Sequence, residues 1–279
     1  MIDIGKTLVV IRGAGDLATG TAVRLHRAGF PVVMLDIAQP TVIRRTVAFA
    51  EALLSGTAVV EGIVGRKCDA SDALETAFSG VIAVVEDPSG SIIPVLHPEV
   101  VIDAILAKKN LGTTRDMAPL TIALGPGFEA GNDVDAVIET KRGHTLGRVI
   151  YSGTAIPNTG IPGIIEGYGK ERVMHSPCAG TFMAVCGIGD LVKAGQTVAY
   201  VEGKDGRVPV KTQTAGKIRG MLFSGLPVTE GFKVADVDPR GEKADHTTCS
   251  DKTFSIAGGV LEAVLHHLTE SDREGRTDV

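Results

Sequence analysis

Three glycines and an aspartate fall within IRGAGDLATG, residues 11–20, where an apolar run gives way to a helical one. Gly13 permits a tight turn, Gly15 lets the backbone approach a pyrophosphate, and Ala18 is small enough for close packing of helix on sheet. A helix opening at Asp16 would offer unpaired N–H groups to a phosphate. Asp36, which ends PVVMLD, would accept from a ribose hydroxyl and repel a 2′-phosphate, favouring NAD over NADP; Arg12, Arg44 and Arg45 weigh the other way. A second glycine loop, GPGFEAG at 125–131, contributes Gly125 and Gly127 and follows the apolar run LTIAL. Just beyond it ETKRGHTLGR, residues 139–148, gathers Glu139, Lys141, Arg142, His144 and Arg148. Arginine matches phosphate or carboxylate bidentately, and histidine moves protons near neutral pH. Arg142 and His144 therefore join the two glycine loops as candidate ligand-binding residues, and His144 is also a candidate for catalysis.

Thiols are the other chemically able groups. Two HxxC pairs, His175 to Cys178 and His246 to Cys249, would make a Cys2His2 tetrahedron only if the fold brought them together, and their spacing is not that of an ordinary zinc site. No metal is expected. Cys178 and Cys249 remain candidate reactive thiols, whereas Cys186, in MAVCGI, reads as core.

These groups need elements to hold them. KTLVVI reads as a buried strand; residues 16–28 place Leu17, Thr21, Leu25 and Ala28 on one helical face; Gly29 closes that helix and PVVMLD follows as a second strand. VIAVVE, VVIDAIL and LTIAL are apolar runs too continuous for a one-sided sheet, so they imply strands covered on both faces. The expectation is an α/β chain whose residues 1–150 form a Rossmann-like, mostly parallel nucleotide-binding domain. Residues 151–172 are read as a linker that includes Asn158–Gly163, NTGIPG. From 173 to 238 a repeat of 36 residues appears: Ala179-Gly180 recurs as Ala215-Gly216, Gly189 as Gly225, Val192 as Val228, Gly195 as Gly231 and Val198 as Val234. Two hairpin units must then pair, since neither could bury a core alone. Within a final segment, 239–279, a helix over 255–268 carries the stripe Ile256, Val260, Val264 and Leu268; it is expected to pack on the first domain, with a frayed tail from Ser271.

With 279 residues, 44% of them hydrophobic, the chain can build two modest cores. No run of 18 uncharged apolar residues occurs, and MIDIGKTLVV is unlike a signal peptide. Four scattered cysteines without a CxxC fit reduced thiols, so a soluble cytoplasmic protein is expected. A formal charge of −5 gives no footprint for nucleic acid, which leaves small molecules or proteins as partners and a homo-oligomer, C2 by default, as the assembly to expect.

Two resemblances follow from these motifs. SPCAGTF…GDLVKAGQTVAYVEG followed by TQTAGKI…GLPVTEGFKVADV resembles the biotinyl/lipoyl barrel-sandwich hybrid, an all-β fold of two such halves. Asp205 stands where that family has its modified lysine and Lys204 is one step off, so no covalent biotin or lipoate is expected. Over residues 6–265, VVIRGAGDLATG, IRRTVAF, IALGPGFEAG, DVDAVIETKRGHTLGRV, NTGIPG and SIAGGVLEA resemble the YqeB-type proteins of the selenium-dependent molybdenum hydroxylase system, distant relatives of the XdhC-type accessory factors. That resemblance implies a Rossmann-like domain joined to a biotinyl-like one. It also implies an accessory protein that binds a dinucleotide or a phosphorylated pterin-type ligand, the molybdenum cofactor included, for delivery to an apo molybdenum hydroxylase. In that setting Cys249 or Cys178 would carry a persulfide or perselenide. The alternative is an NAD(P)-dependent oxidoreductase acting on a small molecule; whether the chain catalyses anything is left open.

Overall fold

Arg12 ends a run of β-branched residues, VVIR, that is buried along its whole length, as a strand at the centre of a sheet covered on both faces must be. The computed structural model describes residues 3–157 and 164–277. In chain order the strands of the first half are β1 (Val9–Arg12), β2 (Val32–Asp36), β3 (Thr57–Val60), β4 (Ile63–Lys67), β5 (Ile82–Glu86), β6 (Val100–Asp103), β7 (Leu120–Leu124), β8 (Glu129–Ala130), β9 (Ala136–Ile138), β10 (Val149–Ile150) and β11 (Gly153–Thr154). Nine of them form one sheet of order β10-β9-β7-β6-β1-β2-β5-β4-β3. The seven inner strands are parallel, while β3 and β10 close the edges antiparallel. Strand order reverses between β1 and β6, and open α/β sheets place ligands outside the carboxyl ends of strands at such a point.

Among the described residues, five α-helices accompany the strands: α1 (Asp16–Arg27), α2 (Glu51–Ser55), α3 (Ala73–Phe78), α4 (Ile93–Leu96) and α5 (Asp251–Thr277). Ala73 and Ala77 of α3 share a core with Val10, Val33, Leu35, Ala83, Val85 and Val101. Helix α5 lies against α1 and also reaches β7, β9 and β10. It begins four residues before the helix start expected at 255, where Ser250 Oγ accepts the Thr253 N–H (3.2 Å) as a side-chain cap, and it runs through Thr277. None of these helices is long and apolar enough to cross a membrane.

Residues 3–40, 48–157 and 249–277 pack into one unit and residues 41–47 and 164–248 into another. The second unit holds β12 (Val173–His175), β13 (Gly180–Ala184), β14 (Leu191–Val192), β15 (Thr197–Gly203), β16 (Gly206–Lys211), β17 (Gly216–Met221), β18 (Pro227–Val228) and β19 (Lys233–Asp238). They make two antiparallel sheets, β12-β19-β17-β14 and β16-β15-β13-β18. Residues 36 apart play exchanged parts: Gly189 N–H donates to Ile218 O and Gly225 N–H to Phe182 O, both at 2.8 Å, while β14 pairs with β17 and β18 with β13. Each half thus lends its short strand to the other half's long one. Phe182, Val201, Ile218 and Val237 form the common core, joined by Ile43 from the 41–47 segment.

This architecture corrects the expectation of a Rossmann-like domain followed by a barrel-sandwich hybrid. The chain is mixed α/β, with antiparallel edges on its large sheet and, among the described residues, three small antiparallel sheets, the third being β8 with β11. Between β6 and β7 there is only a 3-10 turn, Arg115–Met117, and between β7 and β9 only β8, so the crossovers that a doubly wound fold fills with helices carry none. Helix α5, from the far end of the chain, packs there instead. Continuous apolar runs identified buried strands but not what covers them, and the 36-residue spacing reports paired hairpins rather than membership of the biotinyl/lipoyl family. Asn158–Gly163, read as linker, lies outside the described residues.

Candidate functional site

At the carboxyl end of β1 the chain turns into α1 through Gly13, Ala14 and Gly15. Gly13 has φ +100°, and a Cβ there would lie 2.7 Å from the carbonyl oxygen of Ala104, just past β6. Its identity is demanded by the neighbouring backbone. Gly15 differs: it is extended (φ −67°, ψ −176°), precedes α1 as its N-cap, and a Cβ on it would meet nothing within 4 Å. No side chain caps α1, so its first-turn N–H groups face that open space without a partner from its N-cap residue. Asp16 is the first helical residue, and Ala18 is fully buried against the sheet.

Asp36 bends back onto the same loop. Its Oδ2 accepts from Ala14 N–H (2.7 Å) and its Oδ1 from Ile37 N–H (2.8 Å). Burial pushes its carboxyl pKa up, against the opposing pull of those two bonds. The carboxylate braces the loop and keeps lone pairs free for a further donor.

Beneath the loop lies a network that the sequence reading did not single out. Arg12 is 2% exposed; Nη1 donates to Thr113 Oγ1 (2.5 Å), and that hydroxyl donates to Asp103 Oδ2 (2.6 Å). Asp103 Oδ2 is 3.9 Å from the guanidinium, and Nη2 reaches the carbonyls of Ser89 (3.3 Å) and Leu111 (3.4 Å). Burial raises the Asp103 carboxyl, and Thr113, the Ile105 N–H and Arg12 partly offset it. The loops after β5 and β6 are thereby tied to the end of β1. Arg12 points inward and is no reader of a 2′-phosphate, while Arg44 and Arg45 belong to the second unit. A signal for the network was present: VVIR and VVID each end an apolar run in a charge of opposite sign.

The second glycine loop is a packing device as much as a candidate cradle. Gly125 stands against Thr140, and at Gly127 (φ +113°) a Cβ would come within 2.7 Å of Lys108 and Lys109 backbone. Segment 104–109 therefore touches Gly13 at one end and Gly127 at the other, with Leu106 and Lys108 held in left-handed conformations (φ 61° and 62°). Glu139, 2% exposed, accepts from Lys141 N–H (2.7 Å) and Ile156 N–H (2.8 Å), which makes it a brace for the 140–148 loop. Arg142 is committed to Asp251 through two bonds of 2.8 and 3.0 Å, at the start of α5, and His144 is exposed on the same loop.

Helix α5 sits tightly against both regions. The site of a Gly20 Cβ is occupied by the Thr253 methyl, and a Cβ on Gly259 would strike the Gly147 carbonyl. Arg24 stacks on the Phe254 ring at 4.7 Å. Lys252, half-buried in the first turn of α5, has its ammonium pKa lowered by burial and by Arg142, with Asp16 and Glu139 pulling the other way.

The cysteines do not assemble a centre. Cys249 is 9% exposed and its N–H donates to Glu61 Oε1 (2.9 Å), in the first unit. Cys178, half-buried, lies in the second unit with His175 and His246. All four thiols are free of disulfides, and among the described residues no three His, Cys, Asp or Glu side chains are grouped to hold a metal. Burial raises the Cys68 and Cys186 thiol pKa values.

No protein-family model matches the chain. Over 262 residues it is 53% identical to the uncharacterized protein YqeB of Escherichia coli (strain K12), a match that covers 94% of this chain and 48% of that protein. The chain thus spans about half the length of the curated relative it matches. Similar solved structures include an aspartoacylase family protein from Mesorhizobium loti (TM-score 0.30, 11% identity, 83% of this chain and 84% of that one). A succinylglutamate desuccinylase/aspartoacylase from Rhodobacter sphaeroides gives a TM-score of 0.27 at 12% identity, over 83% and 85% of the two chains. TcdA (CsdL) gives 0.32 at 12% identity, over 98% and 89%. The name of the curated relative carries no selenium or molybdenum role and no biotinyl/lipoyl module, which corrects the expected membership of such an accessory family. The relative is named only as uncharacterized. The motifs misled for a physical reason: Gly13 and Gly127 answer to the backbone beside them, so they mark places in a fold and not a pathway.

Proposed function

We propose that the chain binds a dinucleotide or another phosphorylated small molecule at the loop between β1 and α1. The observation that carries this reading is Gly15, which has open space where a side chain would be, at the uncapped start of a helix beside the reversal of strand order. Asp36, anchored to the loop yet with lone pairs to spare, suits the hydroxyls of a ribose and opposes a 2′-phosphate. The rival reading, an NAD(P)-dependent oxidoreductase, would use His144, exposed on the 140–148 loop, for proton transfer. Four free thiols support a cytoplasmic setting.

Calorimetric titration with NAD, NADP and ADP-ribose tests the proposal on the wild-type chain and on Gly15→Val. The wild type should bind NAD at least about tenfold more tightly than NADP, and the variant, which fills the space above the loop, should lose binding without losing thermal stability. Absence of binding by the wild type, or equal binding by the variant, overturns the reading.

A further inference from the structure

The segment that joins β6 to β7 carries only the turn Arg115–Met117, and between that segment and α4 a cavity of about 730 Å3 stays open. Its volume is that of a small-molecule site. Ile93, fully buried, and Met117, half-buried, give it an apolar wall that Pro94, Pro98 and Pro119 extend. The wall is fixed from behind. Gly90, part of the lining, sits with φ +75° where a Cβ would come within 2.9 Å of Ile93 Cδ1 and 3.3 Å of Arg12 Nε. Thr114, also in the lining, directly follows Thr113, whose hydroxyl the Arg12 guanidinium holds.

The polar part of the lining is one-sided. Proline has no N–H, so three lining residues bring no backbone donor. The anionic side chains are those of Glu99 and Asp116; His97 adds an imidazole, and among the described residues no lysine or arginine joins them. Glu99 is bound to His267 Nε2 through one oxygen, Oε1 at 3.1 Å, which leaves its second oxygen for another donor. Asp116 is exposed, and the Thr114 hydroxyl holds its carboxyl below the ordinary value, so it is ionised at neutral pH. Negative charge beside a proline-rich apolar wall calls for a ligand that brings its own donors.

We propose that this cavity binds an organic cation, an ammonium group carried on an apolar body, with the Glu99 and Asp116 carboxylates meeting the charge and Ile93, Met117 and the prolines meeting the body. Both carboxylates repel an anion, and a neutral molecule of the same shape keeps only the apolar part of the binding. Gly13, Gly15 and Asp36 do not line the cavity, so the proposal is independent of the phosphate cradle.

Nuclear magnetic resonance titration of the 15N-labelled full chain tests it with three probes of one shape: phenethylamine, 2-phenylethanol and 3-phenylpropanoate. Phenethylamine should shift the amides of His97, Met117 and Ala118 and bind at least about fivefold more tightly than 2-phenylethanol, with 3-phenylpropanoate the weakest. Glu99→Gln combined with Asp116→Asn, both at exposed or half-exposed carboxylates, should remove that preference and leave 2-phenylethanol within about twofold of its wild-type affinity. Ala118→Phe, which fills the cavity, should abolish binding of all three. Absence of those amide shifts up to about 20 mM phenethylamine, equal affinity for the three probes, or a preference for the amine that survives in the double variant overturns the proposal.

Discussion

Replacing Gly20 with alanine ought to stabilise α1, since alanine is better than glycine inside a helix by about 1 kcal/mol. The packing of α5 reverses that expectation. The new Cβ would overlap the Thr253 methyl and stand 3.3 Å from Thr253 Cβ, where carbon atoms prefer about 3.5 to 4 Å. Thr253 cannot simply turn away, because its hydroxyl pairs with Ser250 Oγ at 2.9 Å, and α5 cannot retreat while Gly259 is seated on the Gly147 carbonyl. Overpacking of this kind costs about 1–3 kcal/mol, so Gly20→Ala should cancel the helix gain and leave a net destabilisation of up to about 2 kcal/mol. Thr253→Ser removes the offending methyl, keeps the hydroxyl, and on its own should cost about 0.8 kcal/mol. In the double variant the alanine methyl takes the vacated place, and stability should return to within about 0.5 kcal/mol of the wild type, a coupling of about 1–3 kcal/mol. Because two units can unfold separately, the readout should be amide hydrogen exchange in residues 16–27 rather than a single global transition. Stronger protection in Gly20→Ala than in the wild type, or a double variant no better than that single one, would refute the reasoning.

Three further outcomes follow from neighbouring contacts. Gly13→Ala, at a left-handed position facing the Ala104 carbonyl, should lower stability by at least about 2 kcal/mol in urea titrations, whereas Gly15→Ala should stay within about 0.5 kcal/mol. Thr113→Val deprives Asp103 of its hydroxyl donor and should cost about 1–3 kcal/mol; since the Asp103 pKa is raised in the fold, stability is lost as pH rises through that value, and the deficit should be larger at pH 8 than at pH 5. Asp135 shows the opposite sign: burial alone would raise its carboxyl, but bonds from the Thr121 hydroxyl, the Thr121 N–H and Arg115 hold it below its ordinary value. Its contribution is present above about pH 3.9 and lost as pH falls below it, so Asp135→Asn should flatten the acid limb of a circular-dichroism titration.

What could be read from the sequence was local. The order of strand, glycine turn, helix and strand ending in Asp36 is written in φ demands, β-branched runs and a helical period, all of which act within a few residues. Which distant segment fills a given place in the fold was not legible. Nothing near VVIDAIL shows that no helix follows it, or that a helix from residue 251 packs where one would have been. Nothing in IRRTVAF shows that residues 41–47 leave the first unit to give Ile43 to the core of the second. Arg12 reads from the sequence as a cation that could favour a 2′-phosphate, because arginine is seldom buried; partners 77 to 101 residues on, the Ser89 and Leu111 carbonyls, Asp103 and the Thr113 hydroxyl, make its burial tolerable.

Glycine content, then, measures two different things in this chain. Gly13, Gly20 and Gly127 are small because another part of the chain presses on them, and any of them could persist in a relative that binds nothing. Gly15 is pressed by nothing, so selection for packing does not explain it, and the binding proposal stands on that residue rather than on the motif as a whole. The same division bears on α5. Its seat is made by packing at Gly20 and Gly259, and Gly20 lies one turn beyond the start of α1, where Gly15 stands. A variant that loosens the seat, such as Gly20→Ala, should therefore lose ligand affinity at denaturant concentrations where the sheet is still intact, and Thr253→Ser should restore affinity together with protection.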